Sequence, residues 1–192
     1  ETCFSQYVDF NKIEHILDIG SNRGAFIKYL ETHYPEKQIT GIEPDNSITS
    51  TYYGLPNVTV QECRFEHSQL QENHFDFAYC AHTLEHADSA REMLLGVRRA
   101  LKPEGLFFVA VPNLVFHNDT IEEIFIDPHT FHFNFYLLRS FAEQMGFSVE
   151  YAGEPKEADI VLLLKKREVN VAQFKFSPID LGLAQETRNE IQ

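Results

Sequence analysis

The sequence is short of positive charge: 16 Lys and Arg stand against 29 Asp and Glu, a formal net charge of −13 at pH 7 over 192 residues. So acidic a surface repels phosphodiester backbones and anionic lipid, which disfavours nucleic acid as a partner. No run of ~18 apolar residues is present, so no membrane-spanning helix is expected, and no secretory signal pattern is found. Cysteine is scarce. Cys3, Cys63 and Cys80 are odd in number and lack metal-site spacing, so neither a disulfide framework nor a cysteine metal knot is expected. Cys80 sits in an apolar run and reads as a small core residue. Internal repeats and low-complexity tracts are also missing. A cytoplasmic location is the default expectation. What remains is 43% apolar residues with 17 Phe and 8 Tyr, enough for one domain with a sizeable core. The chain opens on Glu rather than Met, which is expected of a piece of a longer protein.

Strand-like and helix-like segments alternate along the chain. EHILDIG (14–20) is an apolar run ending in Gly, and RGAFIKYLETHY (23–34) has Phe26, Ile27 and Leu30 at helical spacing before Pro35. QITGIEPD (38–45) reads as a second strand, NSITSTYYG (46–54) as a short helix, NVTVQEC (57–63) as a third strand and HFDFAYCA (74–81) as a fourth. DSAREMLLGVRRALKPEG (88–105) is the clearest helix, capped by Asp88 or Ser89, with a stripe of Met93, Leu94, Val97 and Leu101 and a stop at Pro103 and Gly105. LFFVAVPN (106–113) is a fifth strand. After a long segment rich in Phe and His come a helix at 135–146 and two last strands at 147–153 and 158–168. This rhythm predicts an α/β fold with a mostly parallel sheet and helices on both faces, and ligands at the carboxyl ends of its strands. Residues 1–168 are expected to form the domain, with an insertion at 113–135 over the active site and a tail or interdomain linker at 169–192.

LDIGSNRGAF (17–26) is strand, turn, helix. Gly20 and Gly24 permit a tight turn and close approach of a ligand, and free N–H groups at the helix start suit an anion. The dinucleotide pattern G-x-G-x-x-G is absent, because Asn22 stands at its second glycine. Asp18, just before the turn, would repel a pyrophosphate and attract an ammonium. Glu43 ends the second strand, where an acidic side chain accepts hydrogen bonds from both ribose hydroxyls.

ILDIGSNRG, GIEPD, HFDFAYCAHTLEH and ALKPEGLFFVAVPN, in this order and spacing over about residues 14–168, resemble the motifs of the class I S-adenosylmethionine-dependent methyltransferases. The resemblance implies a Rossmann-like seven-stranded sheet whose last hairpin is antiparallel. Carried over by position, it places Asp18, Gly20, Asn22 and Gly24 at the methionine and ribose, Glu43 at the ribose diol, Cys63 or Arg64 at the adenine, and Ala81 and His82 at the sulfonium end.

HTLEH (82–86) and DPHTFHFN (127–134) supply the remaining chemistry. His82, His86 and His129 are candidate general bases, since imidazole titrates near neutral pH. Leu84, Glu85 and His86 equally suit a structural helix entry. His82, Glu85, His86 and His129 together would make a mixed nitrogen and oxygen set for a divalent ion. This pattern resembles the small-RNA 2′-O-methyltransferases, whose metal is held by two Glu and two His, except that His82 replaces the first Glu; a metal is not favoured. Asn113, His117 and Asn118 are further candidates to face the acceptor, and Phe116, Phe125, Phe131 and Phe133 form either a lid or an anchor for the insertion. The expected function is S-adenosylmethionine-dependent methylation, at oxygen, of a small-molecule or sugar acceptor, in a domain fused to others. Two alternatives stand beside it: a metal-dependent RNA 2′-O-methyltransferase, and a catalytically silent cofactor-binding or interaction domain of a larger protein.

Overall fold

The computed structural model describes residues 7–115 and 129–168. Seven strands form one sheet: β1 (His15–Ile19), β2 (Gln38–Ile42), β3 (Val58–Gln61), β4 (Phe75–Ala81), β5 (Leu101–Pro112), β6 (Phe147–Ala152) and β7 (Asp159–Lys166). Their order is β3-β2-β1-β4-β5-β7-β6. β1 to β5 run parallel, and β7 is antiparallel to both β5 and β6. The expected antiparallel last hairpin is therefore present. β1 is buried from Ile16 through Ile19, as a strand covered on both faces must be.

Helices α1 (Ala25–His33), α2 (Asn46–Thr49), α3 (Ala90–Ala100) and α4 (Phe135–Gln144) complete the described fold. Alternate β1 residues serve two cores. Leu17 and Ile19 join Met93, Leu94 and Val97 of α3 and Leu138 and Ala142 of α4. Ile16 joins Ile27 and Leu30 of α1 on the other face. Each such fully buried aliphatic side chain contributes roughly 1.5–3 kcal/mol.

The local signals explain most boundaries. Ser89 caps α3 by accepting from the Glu92 N–H (3.3 Å), and Asn134 caps α4 by accepting from the Leu137 N–H (2.8 Å). Gly146, with φ +88°, ends the last helix. The helix expected over 88–105 is shorter. It stops at Ala100, and Leu101 already pairs with Phe75 in the sheet. Pro103 disfavours helical backbone at Lys102. Lys102 donates to Asp76 Oδ1 at 2.7 Å and so ties β5 to β4. The β4–β5 register jumps from Phe75↔Leu101 to Phe77↔Leu106, which leaves residues 102–105 as a bulge with Glu104 at φ +63°. Most of the insertion, the tail and the extreme N-terminus lie outside the described residues.

In this strand order the chain runs outward from β1 to β3, then returns to pair β4 with β1. The crevice at such a switch point, beyond the carboxyl ends of β1 and β4, is where an open α/β sheet takes its ligand.

Candidate active site

The turn after β1 is built to leave room. Gly20 and Gly24 both have φ +70°. A Cβ on Gly20 would lie 2.0 Å from Thr83 Oγ1, and one on Gly24 would lie 2.3 Å from the Tyr52 ring. Asn22 also has positive φ (+47°), which Asn tolerates better than most side chains, and its Oδ1 accepts from the Arg23 N–H at 2.7 Å. Its replacement of a glycine therefore leaves the turn intact. Glu43 ties this turn to the end of β2: its Oε2 accepts from the Asn22 N–H (2.8 Å) and its Oε1 from the Asp45 N–H (3.0 Å). Each oxygen keeps acceptor capacity for a further donor, so a diol can still be bound.

Asp18 is only 2% exposed, and its Oδ2 meets no hydrogen-bond donor among the described residues. Burial, reinforced by the like charge of Glu43, pushes its carboxyl up to about 7. A buried acceptor without a donor is costly unless a ligand completes it. Beside it a small groove of about 80 Å³ is lined by Ile19, Gly20, Ile42, Pro44, Arg64, Phe65, Thr83 and His86, among others. Its apolar walls between strand ends suit a flat ring. Arg64 reaches Asp88 Oδ1 (2.8 Å) and the His86 carbonyl (2.9 Å), so its charge is already engaged. Cys63 is half-buried against the core, and burial pushes its thiol up. A larger groove of about 290 Å³ along α3 includes Glu66, Glu72, Glu92 and Arg99 but no β1 or β2 residue.

The HTLEH stretch leaves the end of β4 and enters a 3-10 turn, Leu84–His86. His82 has φ +51°, unusual for a residue with a Cβ, and its N–H donates to the Ala110 carbonyl at 2.9 Å. Its ring is about half exposed and stands between two carboxylates: Nε2 is 3.4 Å from Asp159 Oδ2, and Nδ1 is 3.7 Å from Glu85 Oε1. Leu84 is fully buried, as the structural reading of this stretch expects. Glu85 is 2% exposed, and neither carboxylate oxygen meets a hydrogen-bond donor among the described residues. Burial pushes its carboxyl up.

His129 comes to this turn from the insertion. Thr130 and Phe131 N–H groups donate to the Glu85 carbonyl at 2.8 and 3.0 Å, and the His86 and His129 rings lie 4.8 Å apart. A Glu85 oxygen and one ring nitrogen each from His86 and His129 lie within 4.8 Å of one another. The fold thus brings His82, Glu85, His86 and His129 to one edge, with His82 outside that tight triad.

One expectation about the insertion changes, and one open choice narrows. Asn113 does not face an acceptor: it is buried, its Nδ2 donates to the carbonyls of Pro155 and Glu157 at 3.0 Å each, and its Oδ1 accepts from the Val115 N–H. Phe133 is a core residue with Phe131 stacked nearby at 6.2 Å, so these two anchor the segment and do not form a lid. Phe116, His117, Asn118 and Phe125 lie outside the described residues.

Three partners were invisible to motif reading. Thr83 fills the space behind Gly20, and its Oγ1 donates to the carbonyls of Ile19 (3.3 Å) and Ala81 (3.2 Å). Tyr52 backs Gly24 and shares a 2.7 Å hydrogen bond with Ser21 Oγ. Asp159 meets His82. An antiparallel last strand must begin at the carboxyl edge, which was the one available signal for Asp159.

The fold is shared with known methyltransferases. A family profile described as "Methyltransferase domain" matches residues 17–109. The chain is 26% identical over 134 residues to the C-methyltransferase NovU of Streptomyces niveus; the match covers 65% of this chain and only 30% of that relative's length. Among solved structures, an S-adenosylmethionine-dependent methyltransferase of Mesorhizobium loti has a TM-score of 0.68 at 14% identity, covering 80% of this chain and 91% of that one. The 1,6-didemethyltoxoflavin-N1-methyltransferase of Burkholderia thailandensis, solved with S-adenosylhomocysteine, has a TM-score of 0.65 at 17% identity, covering 83% and 73%.

Proposed function

We propose that the domain, which matches a methyltransferase-domain profile over residues 17–109 and shares the fold of such enzymes, is a class I S-adenosylmethionine-dependent methyltransferase that methylates a small organic or sugar acceptor at an atom that must lose a proton. The observation that carries this reading is the buried, donorless Asp18 Oδ2 beside the Gly20–Gly24 turn and Glu43. That set asks for an ammonium next to a diol and repels a pyrophosphate, and the amino-acid and ribose ends of S-adenosylmethionine match it. Asn22 supports the same turn, so its presence gives the silent-domain alternative no structural footing.

Bound there, the cofactor supplies an electrophilic methyl group on a sulfonium that leaves as a neutral thioether. Asp18 then faces the ammonium, Glu43 the ribose hydroxyls, Cys63 and Arg64 the adenine, and Ala81 and His82 the reacting end. His82 is the base that the geometry favours over His86 and His129. It is the exposed ring at the strand end, and Asp159 and Glu85 on its two nitrogens stabilise the imidazolium formed when it takes the acceptor's proton. His86 and His129 are turned to Glu85 and to each other. Alignment of the acceptor supplies much of the rest of the rate.

A hydroxyl oxygen is the acceptor atom on the first reading. The similarity to a C-methyltransferase favours a second, an acidic carbon, and either needs the same base. RNA is the poorer fit, since Arg64, the cation of the groove, is held by Asp88. Incubation with 13C-methyl cofactor and a panel of hydroxylated and keto sugars tests the proposal, because O-methyl and C-methyl carbons are resolved by NMR. Labelled RNA with unlabelled small acceptors would refute it.

A further inference from the structure

Asp159 opens β7 at the carboxyl edge of the sheet, opposite Pro112 in the antiparallel register. Its Oδ2 stands 3.4 Å from His82 Nε2, and its side chain is 44% exposed, so its other oxygen stays open to a bound molecule. The hairpin before it is pinned: the Asn113 amide donates to the Pro155 and Glu157 carbonyls, and the Asn113 N–H donates to the Ala158 carbonyl at 2.8 Å. Glu85 faces the other nitrogen of the same ring, is 2% exposed and meets no donor among the described residues. Two carboxyls thus flank one imidazole, and neither is paired with a lysine or arginine among the described residues. The cofactor's charges are met elsewhere: Asp18 and Glu43 stand at β1 and β2, and β7 lies three strands from β1, roughly 14 Å across the sheet. Composition carries the same sign. Residues 113–135 contain Asp119, Glu122, Glu123 and Asp127 but no Lys or Arg, and the β6–β7 hairpin sets Glu154 and Glu157 against Lys156. Arg64, the cation of the groove, is held by Asp88.

We infer that the acceptor carries a protonated amine, which docks on Asp159 beside His82, and that phosphorylated or nucleotide-linked acceptors are turned away. The inference rests on the methyl-transfer reading above and names its substrate class. An ammonium brings three donors and the charge that this edge lacks, and a charge-assisted bond to an open carboxylate oxygen is about twice as strong as a neutral one. A phosphate in the same place meets like charge without a counter-ion, and a cleft lined by one sign of charge repels it before contact. With Oδ2 kept for His82 and Oδ1 for the ammonium, Asp159 fixes the span between the acceptor's amine and the atom that loses its proton. The acceptor is therefore an amine with a hydroxyl or acidic carbon close by in the same molecule, as in an amino sugar.

Full chain saturated with S-adenosylhomocysteine is titrated with glucosamine, glucose and glucose 6-phosphate, which share one ring and differ in charge, and followed by saturation-transfer NMR. Glucosamine should bind at least about 10-fold more tightly than glucose, the scale of one charge-assisted hydrogen bond, and the phosphate should not saturate. Asp159→Asn should erase the preference for the amine. Glu36→Gln, which removes one exposed charge just before β2 at the opposite edge, should keep it. Melting and S-adenosylhomocysteine affinity of each variant check the fold. No saturable glucosamine binding, equal affinity for glucosamine and glucose, tighter binding of the phosphate, or a preference that survives Asp159→Asn overturns the inference and leaves the methyltransferase reading intact. The series is repeated without cofactor. A parent that takes no S-adenosylhomocysteine then fails the methyl-transfer reading, while the amine preference still stands or falls on the same probes.

Discussion

If Asp18 faces the cofactor's ammonium as proposed, cofactor affinity should depend on pH in a direction set by its raised carboxyl. Without ligand its carboxyl is raised to about 7, first by burial and then by Glu43. An ammonium docked on its donorless Oδ2 favours the carboxylate, so binding must expel the proton wherever Asp18 carries one. If the bound carboxyl returns to an ordinary value near 3.9, the dissociation constant at pH 5.5 should exceed that at pH 8 by a factor of about 30, or ~2 kcal/mol. The gain should level off near pH 7 and reverse above ~8, where the cofactor's own α-amino group loses its charge. Calorimetry of S-adenosylmethionine binding in two buffers of different ionisation enthalpy reads both the affinity and the proton. At pH 6 roughly 0.9 proton should be released per ligand. Asp18→Asn should bind more weakly at pH 8 and show no slope between pH 5.5 and 7. A parent protein with a flat profile, or an Asp18→Asn variant with the parent's slope, would refute the reasoning. In the unliganded chain the same raised carboxyl opposes folding above its unfolded value, so Asp18 should lower stability progressively as pH rises from ~4 to ~7.

Glu43→Gln keeps the acceptor for one backbone N–H and loses charge at the other, so S-adenosylhomocysteine affinity should fall by about 10–100-fold, or ~1.5–3 kcal/mol, in the same calorimeter. Gly24→Ala would thrust a Cβ to 2.3 Å from the Tyr52 ring at φ +70°, and a urea midpoint should register a loss of about 1–3 kcal/mol. Leu94→Ala, in the fully buried stripe of α3, should cost about 2–5 kcal/mol by the same measurement while leaving the carboxyl-edge residues in place.

The sheet was legible because HILDI and DIVLLLKK are short apolar runs and the α3 stripe keeps a helical period, so element type followed from local pattern. The overrun at 101–105 arose because Leu101 continues the α3 period; only its pairing with Phe75 reveals a strand. The turn after β1 was also readable, since Gly20 and Gly24 take positive φ where the chain bends and Glu43 accepts from the Asn22 N–H there. Contacts set by register were not. Thr83 behind Gly20, Tyr52 behind Gly24 and Asp159 against His82 join positions that are 63, 28 and 77 residues apart. Asn113 illustrates the opposite error. A polar residue at a strand end suggested an acceptor contact, but its amide staples the loop at Pro155 and Glu157.

The central claim is that the β1–β2 edge cradles S-adenosylmethionine. A native mass spectrum of the purified chain with S-adenosylhomocysteine tests it most directly. The account predicts one adduct per chain, retained by the parent and lost at equal ligand concentration by Glu43→Gln. No adduct at saturating ligand, in a chain that melts cooperatively, would contradict it.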